Sequence, residues 1–583
     1  MPNQRIIPSE QPKTVATATI LSNGREVPAT FQVLSVVVQK ELNRIASATI
    51  VIADGAPAGQ TFSVSNTNYF EPGCELEIKL GYRGAEEIAY KGIVVKHAIR
   101  SRSTQSMLII ECRDKAFKMT ISRRSNYFLD IKDSEIMEQL AGSYQLDTAI
   151  EPESLQHRQM VQYNSTDWDF LMTRAEANGM LVYTNNGVLT IKKPDFSASP
   201  VLTFQYGATI HELDAAIDGR HQYSGVKSTA WNCANQELET DVEATEPAAP
   251  DAGNLSSAAI ASALGIEDCN LVYGSGMPQE AQQAWADAKL SRQRLAKIRG
   301  IVTVDGTVAI EPGNLFELKG AGERFEGKLF ATAVKQQFEG GNWKTAVQFG
   351  LNPEWFAETF TISAPAAAGL LPPIGGLHIG QVTGLQGDPL GEERILVRIP
   401  VVHASHEGTW CRLCLPDAGK NRGMLFRPEP GDEVVVGFVD NDPREGIVLG
   451  MLHSSANPAP LPASDDNHEK GYVSRSEMKW LFNDDTKTIM IETPGGHKVC
   501  IDEAESKIEL TDMHGNKILM NEEGITIESI KDVNIKAATN ATVESGSNTK
   551  IKAGANLTAE GGSGAELSSG AVTNVKGSII NLN

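Results

Sequence analysis

At 583 residues the chain is too long for a single hydrophobic core, and about three or four domains are expected. Hydrophobic residues make up 41% and charged residues 21%, the balance of a globular protein rather than a disordered one. With 52 Lys+Arg against 73 Asp+Glu the chain is acidic, which argues against nucleic acid or an anionic membrane surface as its main partner.

No stretch approaches the ~20 apolar residues of a membrane helix. Met1 to Lys13 is polar and lacks the apolar segment of a secretory signal, so synthesis in the cytoplasm without a signal peptide is expected. Cys74, Cys112, Cys233, Cys269, Cys411, Cys414 and Cys500 are odd in number and follow no framework spacing, which points to reduced thiols.

Taken in order, residues 16–120 predict strands: Phe31 to Val38, Ala48 to Ala53, Cys74 to Tyr82, Ile88 to His97 and Met107 to Cys112 are β-branched or alternating and are separated by turn residues. Helices follow. Asp133 to Tyr144 is amphipathic, and Thr166-Asp167-Trp168-Asp169 opens a second helix in capping-box fashion that stops at Asn178-Gly179. Met180 to Tyr183 and Val188 to Lys192 flank Asn185-Asn186-Gly187 as a hairpin. Residues 237–256, rich in Glu, Asp, Ala and Pro, predict an exposed connector. A helix is expected from Pro278 to Ile298, then strands from Gly300 to Gly350. Residues 1–363 therefore form a head of two small β-barrels with helical insertions, an α+β unit in a mainly β chain.

Ala364 to Gly376 is a linker. Between residues 377 and 457 lie Leu377 to Val382, Arg394 to Ile399, Thr409 to Leu415, Asp432 to Val439 and Ile447 to Met451. This density of short strands suits a small closed OB-fold barrel. Residues 458–486 are a connector.

The last segment, 487–583, is nearly free of aromatic residues and rich in Gly, Ala, Ser, Thr and Asn, yet it is periodic. Every eighth residue from Ile527 gives Ile535, Val543, Ile551, Ala559, Leu567 and Val575. Two residues earlier a second series runs Val533, Ala541, Thr549, Leu557, Ala565 and Thr573, and Gly546, Gly554, Gly562 and Gly570 keep the same count. Two apolar positions two residues apart are what one face of a short strand supplies. A glycine beyond them suits a corner with positive φ. Ile489/Ile491, Val499/Ile501, Ile508/Leu510 and Ile518/Met520 continue the pattern upstream at nine or ten residues. So short a strand buries no core alone, whereas three copies about one axis do; the expectation is an intertwined trimeric β-helix, or β-prism, of roughly 55 to 60 Å at ~4.8 Å per octad. Its core would be Ile527, Val533, Ile535, Val543, Ile551, Leu557, Leu567 and Val575. A disordered Gly/Ser linker fails to explain the register, and a single-chain solenoid needs longer coils and bulkier core residues.

Tyr163-Asn164-Ser165-Thr166-Asp167-Trp168-Asp169-Phe170, with Arg174-Ala175-Glu176 and Gly179, resembles a recurrent stretch of the VgrG-type spike proteins of type VI secretion and related phage-like contractile injection systems. Gly380-Gln381-Val382, Asp388-Pro389, Arg394, Trp410, Arg412, Pro416, Ala418-Gly419, Gly423, Pro430-Gly431-Asp432-Glu433-Val434, Phe438, Asp442-Pro443, Gly450 and Asn457-Pro458 follow that family's order through the barrel. The resemblance implies a structural homotrimer. Its head would dock on a baseplate and on an Hcp-like inner tube of hexameric rings. Its prism would point outward, with Ile579, Ile580, Asn581, Leu582 and Asn583 carrying a PAAR-type tip protein. Effectors ride on such spikes, which touch the target membrane transiently and are assembled in the particle, then delivered or released extracellularly. Phage relatives insert a lysozyme domain between barrel and prism, where only about 20 to 30 residues stand here, and some secretion relatives append an effector after the prism; the expectation is that neither place holds an enzyme.

Candidate chemistry is sparse, and no catalytic, metal or cofactor residue is assigned. His403, His406, Cys411 and Cys414 fall close together as in zinc sites, but the two cysteines lie an odd number apart on one strand and should face opposite ways. His211-Glu212-Leu213-Asp214-Ala215 lacks the second histidine of a zincin, and Gly561-Gly562-Ser563-Gly564 belongs to the corners rather than to a phosphate cradle. Trp168 and Phe170 read as packing anchors. The competing reading, a cell-wall or polysaccharide-degrading enzyme on a stalk, needs a carboxylate pair across a cleft that the sequence does not single out.

Overall fold

The computed structural model describes residues 15–250 and 252–582. The amino-terminal residues 1–14, on which the expectation of no signal segment rests, lie outside the described residues, as do Asp251 and Asn583. The chain divides into two compact units: one runs to Gly375 and includes Phe438–Pro443, the other comprises Gly376–Gly437 and the chain from Arg444 onward. Among the described residues no helix is long and apolar enough to cross a membrane.

The first unit is built on a thirteen-stranded sheet. Its strands alternate as a half-buried pleat requires: in Ser47–Ala53, Ala48, Ile50 and Ile52 are buried while their neighbours are not. Ala16–Ser22, Val33–Glu41, Ser47–Ala53, Glu75–Tyr82, Ala85–Ser101 and Ser106–Arg113 make one half, each within a few residues of its predicted extent where one was predicted. Ile210–Ile217, Ile298–Asp305, Gly327–Glu339 and Asn342–Phe349 make the other. The halves join where Gly327–Glu339 pairs antiparallel with Val33–Glu41, Ala333 opposite Glu41 and Glu339 opposite Ser35. Each has its own core, one around Ile50, Ile78 and Ile110, the other around Val302, Phe316 and Phe349. The two strand-rich parts expected of the head thus share one continuous sheet.

The helical insertion has a third core. Helices Asp133–Gly142 and Asp167–Ala177 pack Met137, Leu171 and Met172 against Phe128, Val182 and Ile191. Leu181–Asn185 and Val188–Lys192 form the expected hairpin, with Asn186 at φ 52° and Gly187 at φ 95°, the doubly left-handed turn that Asn-Gly favours.

Much of the segment 237–256 is exposed, as expected of a connector, but parts of it are held by the unit it crosses. Glu237–Leu238 and Val242–Glu243 pair with Val226–Asn232, and Val242 and Ala252 are buried. Arg294, on helix Gln279–Leu295, forks onto Glu246 at 2.6 and 3.0 Å, and Lys297 Nζ donates to the Ala252 and Leu255 carbonyls. Of its acidic residues, Glu243 and Glu246 pair with Lys227 and Arg294 of the same unit. An unpredicted helix, Ser257–Leu264, follows, with Ser256 Oγ accepting from the Ala259 amide and Gly265 left-handed at its end.

In the second unit His378–Gly384, Ile395–Arg398, Thr409–Leu413, Gly446–Met451 and Glu433–Phe438 close into a five-stranded barrel, the expected OB architecture. Val382, Ile395, Val397, Cys411, Val434, Val436 and Val448 fill it. Beyond it, a seven-stranded antiparallel meander runs through Glu469–Val473, Lys479–Asn483, Thr488–Glu492, Lys498–Asp502, Lys507–Thr511, Lys517–Asn521 and Gly524–Glu528. The repeat therefore begins inside the segment assigned as a connector: its first two strands carry Tyr472, Trp480 and Phe482, bulky residues that hide the small-residue signature.

Candidate assembly surface of the carboxy-terminal repeat

The meander's register builds the site. Trp480, Ile491, Val499, Leu510, Ile518 and Ile527 lie directly across from one another in one row. Phe482, Ile489, Ile501, Ile508, Met520 and Ile525 make a second row two residues along each strand. Because side chains alternate across the pleat, both rows share a face, and the pairs read from the sequence at Ile489/Ile491, Val499/Ile501, Ile508/Leu510 and Ile518/Met520 stand side by side. From Ile489 onward the two rows lie open, 37% exposed at Ile518 and 72% at Ile525. A contiguous apolar stripe of this length, left open, is a candidate association surface.

After Glu528 no strand is found among the described residues, yet the chain keeps strict time. It bends at 530–531, 538–539, 546–547, 554–555, 562–563, 570–571 and 578–579, once per eight residues. Gly546, Gly554, Gly562 and Gly570 open four of these bends, but none has the positive φ expected of it. A bend with negative φ is open to any residue, which is why Ala538-Thr539 and Ser578-Ile579 make the same corner. Ile527, Val533, Ile535, Val543, Ile551, Leu557, Leu567 and Val575 are all exposed, Val543 to 83%. Ile579, Ile580 and Leu582 are exposed at the far end with Asn581, while Asn583, the last residue of the expected docking end, lies outside the described residues.

In the head the recurrent stretch is structural. Thr166 Oγ1 accepts from the Asp169 amide at 3.0 Å, and buried Asp167 accepts from Tyr144 and Gln162. Phe170 stacks on Phe128 at 5.9 Å, and Trp168 is buried beside it. Arg174 forks onto fully buried Asp133 at 2.7 and 2.6 Å, joined by His157 and Asn178. Burial alone would push the Asp133 carboxyl up; the Arg174, His157 and Asn178 hydrogen bonds outweigh it and hold the group well below the usual carboxylate range. Glu176 pairs with Arg292 and accepts from the Phe356 amide at 2.6 Å, and burial pushes its carboxyl up against the pull of Arg292. Gly179, at φ 70°, ends the helix against Ala288.

The barrel's matching residues also shape the fold. Asp388 accepts from the amides of Leu390 and Glu392 and, at Oδ1 alone, from both Nε and Nη2 of Arg394, and a Cβ on Gly380 would meet Val397 at 2.5 Å. Cys411 points into the barrel, where burial pushes its thiol up to about 11, while Cys414 is exposed, so the two sulfurs face opposite ways as expected. His403 Nδ1 accepts from the Ser405 and His406 amides, and His406 Nδ1 from Gly408. Among the described residues no group of three or more His, Cys, Asp and Glu is placed to hold a metal. The deep ion pairs and the two-row stripe were missed or only half seen in the sequence because the first depend on tertiary contacts and the second on cross-strand register; the paired apolar spacing was the signal available for the stripe.

Residues 12–340 match the family described as the Alg8 N-terminal domain, and residues 378–453 the type VI secretion system/phage-baseplate injector OB domain. The chain is 24% identical over 208 residues to the type VI secretion system spike protein VgrG1a of Pseudomonas aeruginosa, covering 33% of this chain and 31% of that one. It is 31% identical over 113 residues to spike protein VgrG3 of Vibrio cholerae, 18% of this chain and 11% of that. The chain spans under a third of the length of these curated relatives. Solved structures similar to it include a tail protein from Neisseria meningitidis, with TM-score 0.43, 15% identity and coverage of 60% of this chain and 100% of that one. Another is the E. coli c3393 protein, described as a type VI secretion component similar to T4 tail proteins gp27 and gp5, with TM-score 0.38, 13% identity and coverage of 74% and 99%.

Proposed function

We propose, from a chain that belongs to the Alg8 N-terminal domain family and is related to VgrG-type spikes, that it is the homotrimeric hub and spike of a contractile injection apparatus. The observation that carries the reading is the two-row apolar stripe, continued by an octad that bends in register and finds no strand partner among the described residues. Three copies sharing one axis would give each octad strand the ladder partner it lacks, and would bury the rows as a dry core. The needle then occupies residues 469–583, the barrel 377–457 and the head 1–363.

The work is mechanical. A rod whose backbone is paired except at its ends transmits force with little bending, and no turnover is required. The head docks on the baseplate and an Hcp-like inner tube, and the apolar end around Ile579, Ile580 and Leu582 seats a PAAR-type tip protein, with effectors carried through the target envelope. The particle would assemble in the cytoplasm and act outside the cell. Electron microscopy of the purified full chain tests this: a trimer bearing a thin rod supports it, a compact particle without a rod contradicts it. A cell-wall hydrolysis assay on the same sample separates it from the enzyme-on-a-stalk reading, which predicts turnover.

A further inference from the structure

We infer that the needle carries an interchain charge ladder that sets which octad of one chain lies on which octad of the next. The inference rests on the three-chain prism proposed above.

Along one margin of the meander, on the face opposite the apolar rows, the residues directly across from one another are Lys479, Glu492, Lys498, Thr511, Lys517 and Glu528. Wherever two charges meet there they are opposite, and Lys479 Nζ reaches Glu492 at 3.3 Å. Beyond Glu528 the same position returns every eight residues as Lys536, Glu544, Lys552 and Glu560, then Ser568 and Lys576. Each sits one residue past an inward apolar position and so on the outward face. The neighbouring outward series, Asn534, Thr542, Lys550, Thr558, Glu566 and Asn574, is mainly neutral, so the alternation belongs to one column. In the single chain these charges are exposed, and Lys536, Glu544, Lys552, Glu560 and Lys576 make no ion pair among the described residues.

Threefold geometry supplies the missing partners. A chain that lays one octad on a face turns at its corner onto the next face. There it lands on the strand its neighbour laid one octad earlier. Octad n+1 of one chain therefore always lies on octad n of another, in parallel and ~4.8 Å away. Glu528 meets Lys536, Lys536 meets Glu544, Glu544 meets Lys552 and Lys552 meets Glu560, each three times per trimer. Opposite charges directly across a ladder stabilise it and like charges destabilise it. A slip of one chain by one octad would set its octads on octad n or n+2 of its neighbours, replacing opposite charges by like ones through most of the column between Glu528 and Glu560. A low-complexity repeat of small residues specifies register weakly by shape; the column supplies what the core does not.

The test begins with the mass of the full-length protein. A monomer removes the three-chain reading itself; the remaining outcomes apply to a trimer. Glu544→Cys and Lys552→Cys are made singly and together and oxidised with copper-phenanthroline. The pair is expected to link chains covalently, while each single variant stays at the background set by exposed Cys233 and Cys414. Equal linking by Glu544→Cys alone would overturn the register. Separately, Lys536→Glu with Lys552→Glu makes a column of five glutamates. It should melt several degrees below wild type at low salt, the gap closing near 1 M salt, where the Debye length is about 3 Å. The swap Lys536→Glu, Glu544→Lys, Lys552→Glu, Glu560→Lys restores three of the four alternations and should recover most of the loss. A glutamate column that melts with wild type, or a swap no better than it, would overturn the ladder while leaving the trimer standing.

Discussion

Replacing Val543 or Ile551 by aspartate strikes the octad at its inward position. In the single chain these side chains are 83% and 72% exposed, so almost all of their burial must come from neighbouring chains. Fully burying a valine or isoleucine is worth about 1.5–3 kcal/mol, and threefold symmetry removes it three times, about 5–9 kcal/mol per trimer. Three carboxylates brought together without water add to that loss. Burial and like charge both raise the aspartate pKa in the trimer, so protonation relieves the defect: the deficit should be largest at pH 8 and smaller at pH 5. Calorimetric melting of the full-length protein at both pH values measures it. Asn534→Asp, on the outward face beside Lys536, serves as control and should shift stability by no more than about 0.5 kcal/mol. A Val543→Asp protein that melts with wild type at pH 8 would refute the inward assignment.

Arg174→Ala strips the main partner from a fully buried carboxylate and should cost the head about 3–5 kcal/mol in denaturant unfolding. Asp133, whose carboxyl is held low in the folded head, contributes stability that is complete above its unfolded pKa of about 4 and is lost as pH falls below it; Asp133→Asn should flatten that acid limb of the wild-type stability curve. Thr166→Ala removes the amide acceptor at the helix start and should cost about 1 kcal/mol by the same measurement. With burial holding the Cys411 thiol at about 11 and the Cys112 thiol at about 12, alkylation of native protein at pH 8 followed by mass mapping should label Cys233 and Cys414 and spare those two.

What was legible in the sequence followed from local rules. The alternation in Ser47–Ala53, the Asn186-Gly187 turn and the cap at Thr166 each state a conformation within a few residues. The five barrel strands match their predicted extents closely for the same reason. The octad was legible because its apolar residues, its glycines and its bends all recur at the same eight-residue spacing. What escaped was tertiary. Glu176 and Arg292 stand 116 residues apart, and nothing near either names the other. The acidic run near Glu246 has the composition of a loop until Arg294 is placed beside it. The left-handed corner was inferred from glycine alone, whereas the backbone bends at negative φ, and the meander's first two strands were hidden by Tyr472, Trp480 and Phe482.

The central question is whether residues 469–582 become a rod only in company. The mass of the intact protein in dilute solution, by light scattering or native mass spectrometry, decides it. Three times 62.9 kDa is predicted, with amide exchange protection extending through Val575. A particle of 62.9 kDa with the same protection would contradict it.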